Sequence, residues 1–369
     1  MGYTFLNLKQ NNKMKKYALI IYILLLCVFS GCSTYRNKSA KVNSILWEIS
    51  KKDIEKKSYL LGTCHIVDYH YLDSIPEFVS IIQNVDAIAT EHDGRELMKE
   101  YLRPFFEAKN NKIPSYAFMP NGGQDYKSIY TSEEEYHLVD SFFNQFIKEP
   151  NAPNFKLEKI RPTQTMMIIN AYYRFMGSLE RTYGDNNLPA NYIQMDAGIE
   201  EQGRKQKKRL FFLEDLEDRI DDNENALYID TCNLTRQSHM LYLTCKGYVE
   251  LKKKKSETDT TALTNQGEKS DLNTLYRKGD LERLYKERIQ SRSVPAEISD
   301  DFQQKEIYDF VEGRNKRWIP VIKSNIKESS CLIAFGAGHL PGEEGVINLL
   351  RKEGYKVKPI DIYGKKKQK

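Results

Sequence analysis

One arrangement occurs twice in this chain and limits its fold more than any other feature. The stretch SYLLGTCH, Ser58 to His65, is an apolar strand-like run that closes on Gly-x-x-His. A loop follows, then IPEFVSIIQNVD with Phe78, Ile81, Ile82 and Val85 on one helical face, then the short apolar run DAIATEHD that ends at Glu91. Near the other end, SSCLIAFGAGHLPGEEGVINLLRKEGYKVKPIDIY has the same order: apolar strand, Gly-x-x-His, short loop, helix, strand. Two such units predict an α/β fold, a mixed sheet core from two strand-GxxH-helix-strand halves with an intervening helical region. Upstream of the first unit, ILWEIS and the charged turn KKDIEKK predict a hairpin with SYLLGTCH.

The repeat bears on chemistry because ligands in open α/β sheets bind at the strand ends. Gly62 and Gly336 would let the chain turn sharply as it leaves each strand and present His65 and His339 at the sheet rim. Glu91 adds a carboxylate at the end of the next strand. Two imidazoles and a carboxylate with open coordination positions suit a divalent cation, catalytic zinc in one geometry and manganese or cobalt in a more oxygen-rich one. Cys64 adjoins His65, but consecutive residues of an extended segment point oppositely, which argues against it as a ligand. His70 and His92 are expected at the surface or behind the ligands.

Between the halves the spacing is helical. TSEEEYHLVDSFFNQFI offers a capping box at Ser132 and Glu135 and a face of Leu138, Phe142 and Phe146, while the Met and aromatic stripe of RPTQTMMIINAYYRFM reads as core. The polar run Ser256 to Asp271 reads as a loop between helices. The expected organisation is a domain over 45–364, mainly helical over 95–200 and 220–330.

Ahead of it, three lysines precede YALIIYILLLCVF and Phe29-Ser30-Gly31-Cys32, the pattern of an export signal over 1–31. Its ending resembles a bacterial lipobox, with Cys32 the lipidated residue, a polar tether over 32–44 and an address in the cell envelope, at the outer membrane. Removing 1–31 takes four of 56 basic side chains and leaves 52 against 51 acidic ones, so the mature chain lacks the field that would favour nucleic acid. The clusters Arg204 to Arg209 and Lys252 to Lys255 read as solvated helix ends or loops. The six cysteines show no metal-knuckle spacing, and Cys232 with Cys245 is the closest pair left for a disulfide.

These residues together resemble the TraB/GumN family, also called TIKI-like proteins, over Leu46 to Ile360. The resemblance rests on LLGTCH with His65, the strand-end Glu91, QMDAGIEEQGRKQKKRLFFLED with Asp196 and Glu214, RNKRW from Arg314 to Trp318, and AFGAGHLPGEEGVINLL with His339. It implies a metal-dependent hydrolase fold, metal ligation by His65, His339 and Glu91, and a catalytic neighbourhood that includes Arg314 and Asn315 as oxyanion-stabilising groups. The animal members are peptidases, which makes a peptide or protein the expected substrate. Glu214, at the end of LFFLED, is the expected general base or orienting group. The competing expectation is a non-catalytic envelope protein that sequesters a peptide, a metal or haem.

Overall fold

The computed structural model describes residues 43–363 except 97–98, 100–116, 121–124, 150–151, 185–190, 216–217, 219–232, 258–271 and 291–310. The export signal, Cys32 and most of the tether lie outside the described residues, as do Cys232 and nearly all of the polar run after Ser256. Cys245 is a free, buried thiol.

Six strands form one mixed sheet in the order β4-β3-β5-β2-β1-β6. β1 (Leu46–Lys51) and β2 (Ile54–Thr63) form the expected antiparallel hairpin. β2 runs parallel to β5 (Cys331–Gly336), which also pairs in parallel with β3 (Ala87–Thr90), and β3 pairs in parallel with β4 (Arg209–Phe212). β6 (Lys356–Pro359) closes the far edge against β1, antiparallel. Every residue of β3 and β5 is buried. Continuous apolar burial of this kind means that both faces of the sheet are covered, as parallel strands require. The repeat is thus real in three dimensions: β2 leads through α1 (Pro76–Asn84) to β3, and β5 leads through α9 (Val346–Lys352) to β6.

Local chemistry explains the helices that matter here. Pro76 opens α1, where a missing N–H costs nothing, and Phe78 and Ile82 turn into the core. α2 (Glu133–Phe146) is capped by Ser132, whose hydroxyl accepts the Glu135 N–H at 3.2 Å. The return bond of the box goes elsewhere: Glu135 accepts the Thr131 N–H at 3.2 Å. The buried face of α2 is Val139, Phe142, Phe143 and Phe146, so Phe142 and Phe146 are buried as expected while Leu138 is only partly buried. α2 packs with α3 (Pro162–Tyr183) and α5 (Leu234–Glu257) around a separate core that includes Ile169, Leu241 and Cys245.

The remaining helices flank the sheet. α4 (Met195–Lys205) packs on β3 and β4, α6 (Leu272–Arg277) and α7 (Leu281–Gln290) contribute Tyr276 and Leu284 to the sheet core, and α8 (Gly313–Glu328) leads into β5. The basic cluster after α4 is more than a solvated end. Lys208 donates to the carbonyls of Gln83 and Val85 at the C-terminus of α1, at 2.8 and 2.5 Å, and Arg209 donates to Asn325 and Ser329 at the end of α8.

Candidate active site

β2, β5 and β3 all leave the sheet at the same edge. The register pairs Gly62 with Phe335 and Thr63 with Gly336, so the two Gly-x-x-His turns start side by side. The glycines matter for a reason other than the expected one. Neither is among the described glycines of positive φ. A Cβ on Gly62 would stand 2.9 Å from the Ala337 Cα and 2.7 Å from the Leu340 side chain, so Gly62 is what lets the second turn lie against the first. A Cβ on Gly336 would stand 3.4 Å from a Glu91 carboxylate oxygen and 3.7 Å from the His339 ring, which shows how closely those two groups approach.

The histidines differ in surroundings. His339 sits in the single turn Ala337–His339, buried, with the Trp318 ring centre 4.5 Å from its own. Its Nδ1 lies 2.7 Å from the Asn315 side-chain oxygen. The Asn315 amide is fixed, because its nitrogen donates to the Glu344 carbonyl at 2.8 Å. Nδ1 therefore carries the proton, and the ring's basic nitrogen is Nε2. The His65 side chain is 55% exposed, at the mouth of the site. Tyr192 donates to its backbone carbonyl, and Gln194 and Asp196 approach its Nδ1.

Glu91 lies beside both histidines. One of its oxygens accepts the Gly336 N–H at 2.8 Å and the other accepts from Arg314 at 2.6 Å. Burial alone would raise this carboxyl, but the Arg314 guanidinium, the His339 and His65 imidazoles and the Gly336 N–H outweigh it and hold Glu91 well below the usual carboxylate range. Arg314 also grips Glu214 through two hydrogen bonds of 2.5 and 2.9 Å. Burial works against its charge, and the two carboxylates raise its pKa above the ordinary value all the same. Glu214 is sealed, with no exposed side-chain surface, and accepts the Trp318 indole N–H at 2.9 Å as well. α8 thus turns two polar residues, Arg314 and Asn315, into the stripe that buries Trp318 and Ile322.

In front of this cluster is a pocket of about 700 Å³ walled by His65, Thr90, Glu91, His92, Asp196 and Glu200, with Arg95, Lys99 and Arg204 also lining it. Asp196, in the first turn of α4, accepts the Thr63 hydroxyl at 2.8 Å through one oxygen. Its other oxygen is buried, accepts no hydrogen bond and lies 3.0 Å from His65 Nδ1. An imidazole nitrogen and a carboxylate oxygen at that separation attract only if positive charge, a proton or a cation, lies between them.

The sequence candidates fall into two groups. His65 and Glu91 face the pocket, while His339, Glu214, Arg314 and Asn315 are buried and do not line it. Among the described residues, no three His, Cys, Asp or Glu side chains stand close enough as placed to hold an ion. The donor chemistry nonetheless fits a divalent cation: two imidazoles, an ionised Glu91, and the orphaned oxygen of Asp196. Sequence reasoning passed over Glu200, although Asp196 and Glu200 stand four apart on α4, a spacing that puts both on one helix face.

The family model for TraB/PrgY/gumN matches residues 45–359. A 61-residue segment is 44% identical to the protein named "Metalloprotease TIKI2" of Xenopus tropicalis, covering 16% of this chain and 12% of that protein. The chain therefore matches about an eighth of the length of that relative. No solved structure matches it.

Proposed function

The chain belongs to the TraB/PrgY/gumN family, and from that premise we propose that it is a metal-dependent hydrolase of peptide bonds. The observation that carries the reading is the parallel pairing of β2 with β5. It sets the two Gly-x-x-His turns side by side, with Glu91 held ionised against both. The metalloprotease named among its relatives supports the same chemistry.

His65, Glu91, His339 and Asp196 would hold the cation. Bound there, it would polarise a carbonyl and acidify a water molecule. Asn315 fixes the His339 tautomer so that the basic nitrogen is Nε2. Arg314 keeps Glu91 charged and aimed, and Glu214 holds Arg314 from behind, with Trp318 closing the shell. We therefore read Arg314, Asn315 and Glu214 as positioning residues. The pocket before Glu91 would receive the scissile bond of an extended peptide.

The test is cleavage of a peptide library by purified protein stripped with a chelator, with and without added Mn²⁺, Co²⁺ or Zn²⁺. Cleavage restored by one cation and lost in His65→Ala supports the reading, and no cleavage under any condition overturns it. We also propose an envelope address through lipid on Cys32, supported by the FSGC sequence at residues 29–32. Among the described residues no helix is long and apolar enough to cross a membrane. Metabolic lipid labelling that persists in Cys32→Ala would contradict the anchor.

A further inference from the structure

The site as described has ligands and positioning residues but no group to move a proton. Glu214, the sequence candidate for that task, cannot reach a substrate. It is sealed, and its two oxygens are occupied by Arg314 and Trp318. A carboxylate in the pocket wall can do so; Glu91 and Asp196 are committed as ligands, and Glu201 is paired with Arg95 at 2.9 Å.

Glu200 remains. It lies on α4 one turn beyond Asp196, is buried apart from the pocket, and belongs to the same wall as His65 and Glu91. The Thr90 hydroxyl donates to its Oε1 at 3.1 Å and Arg204 approaches its Oε2 at 3.3 Å, so the carboxylate is held in one orientation. Gly94 contributes an N–H and lies against the carboxylate: a Cβ there would stand 3.7 Å from Oε1 and 4.0 Å from Oε2.

We propose that Glu200 is the proton-transfer group of this pocket, taking a proton from the attacking water and giving it to the departing amine. The proposal rests on the hydrolase reading above. In the forward step the water oxygen forms a bond to the substrate carbonyl carbon while a Glu200 oxygen accepts the water proton. As the carbon–nitrogen bond breaks, Glu200 returns that proton to the amine nitrogen. One water is consumed, a carboxyl and an amine are formed, and nothing is oxidised or reduced.

The electrostatics agree with this division of labour. Burial raises the Glu200 carboxyl above its ordinary value, assisted by Asp93 and opposed by Thr90, Arg204 and the Gly94 N–H. Glu91, on the same wall, is pushed the opposite way. Two carboxylates driven apart in one pocket is the pattern expected of a fixed charge beside a proton carrier. The other charged or titratable groups lining the pocket with Glu200 are His65 after β2, Glu91, His92, Arg95 and Lys99 after β3, and Asp196 and Glu201 on its own helix.

The experiment compares wild type, Glu200→Gln and Glu200→Asp, each loaded with the cation that supports peptide cleavage. The expected result for Glu200→Gln is a loss of roughly 10²- to 10⁴-fold in kcat. KM, bound metal and Tm should stay near wild type, with partial recovery in Glu200→Asp and loss of the acidic limb of the pH–rate profile. Carboxyl infrared difference spectra of wild type against Glu200→Gln give a readout independent of turnover. They should show Glu200 titrating above the ordinary glutamate range. Retained kcat in Glu200→Gln, or an ordinary Glu200 titration, overturns the assignment and leaves the hydrolase reading intact. Absence of metal-dependent cleavage in wild type overturns both.

Discussion

Replacing Arg314 by methionine removes the one charge that joins Glu91 to Glu214, and with it the guanidinium that lies 4.9 Å over the Trp318 ring, while keeping most of the aliphatic stem. The guanidinium meets the two carboxylates at 2.5 to 2.9 Å. At an effective dielectric near 20, each pair is worth roughly 6 to 7 kcal/mol of attraction, most of it offset by desolvation. Breaking a buried pair and leaving its partner behind typically costs about 3–5 kcal/mol, so Arg314→Met should lose about 4 kcal/mol at pH 7. That is a large part of an ordinary domain stability.

The sign of the pH dependence makes this specific. In wild type, Glu91 titrates below its unfolded value, so its stabilisation is present above that value and is lost only as pH falls below it. Without Arg314, two buried carboxylates face one another, and at least one must titrate above its unfolded value. Its penalty then shrinks as pH falls from that raised value toward about 4, by up to about 1.4 kcal/mol per pH unit. Urea unfolding followed by far-UV circular dichroism at pH 7 and pH 5 measures both. The gap between wild type and variant should narrow by roughly 1–3 kcal/mol at pH 5. A loss under about 1 kcal/mol at pH 7, or a gap that widens in acid, refutes the buried-triad account.

Other perturbations test separate parts of the structure. Gly62→Ala should lower stability by about 1–3 kcal/mol in the same urea assay, because the new methyl meets backbone at Ala337; an unchanged midpoint would mean the turns are not in contact. Cys245, whose thiol burial pushes up to about 12, should resist alkylation in native protein while the less buried Cys64 reacts, as site-resolved mass spectrometry would show. Burial would raise Asp68, but the N–H groups of Ile193 and His70 and the His70 ring hold it below its ordinary value. Its contribution is therefore present above an unfolded pKa of about 4 and lost as pH falls below it. Asp68→Asn should be destabilised by about 1–3 kcal/mol at pH 7 and converge on wild type near pH 2, judged by thermal melts across that range.

The parts of this fold visible in the sequence are those in which local pattern and tertiary demand agree. The apolar runs before Gly62 and Gly336 are strands because both faces of the sheet are covered, and the spacing of Phe78 and Ile82 survives as the buried face of α1. The repeat put both histidine turns at strand ends, but neither the parallel pairing of β2 with β5 nor the role of Gly62 followed from it, since both are properties of two segments distant in the chain. On α2 Phe142 and Phe146 are buried as the spacing predicts, but Val139 takes the place of Leu138 because the neighbours are α3 and α5, and periodicity alone does not name a neighbour. In the site, the types of His65, Glu91 and His339 were enough to suggest ligation. Whether Arg314, Asn315 and Glu214 meet a substrate or only one another depends on burial, which their residue types do not encode. Glu200 went unnoticed because one acidic residue in a charged helix is ordinary until Thr90, Gly94 and the pocket surround it.

Cation binding by the two histidine motifs tests the central claim most directly. Isothermal titration of Mn²⁺, Co²⁺ and Zn²⁺ into stripped wild type, His65→Ala, His339→Ala and the double variant requires no knowledge of a substrate. One shared site predicts a single strong binding event in wild type and its loss in each single variant. The double variant should be no worse than either, because ligands of one ion are strongly non-additive. Wild-type binding retained in the double variant, or two independent losses that add, would contradict a centre assembled from both Gly-x-x-His turns.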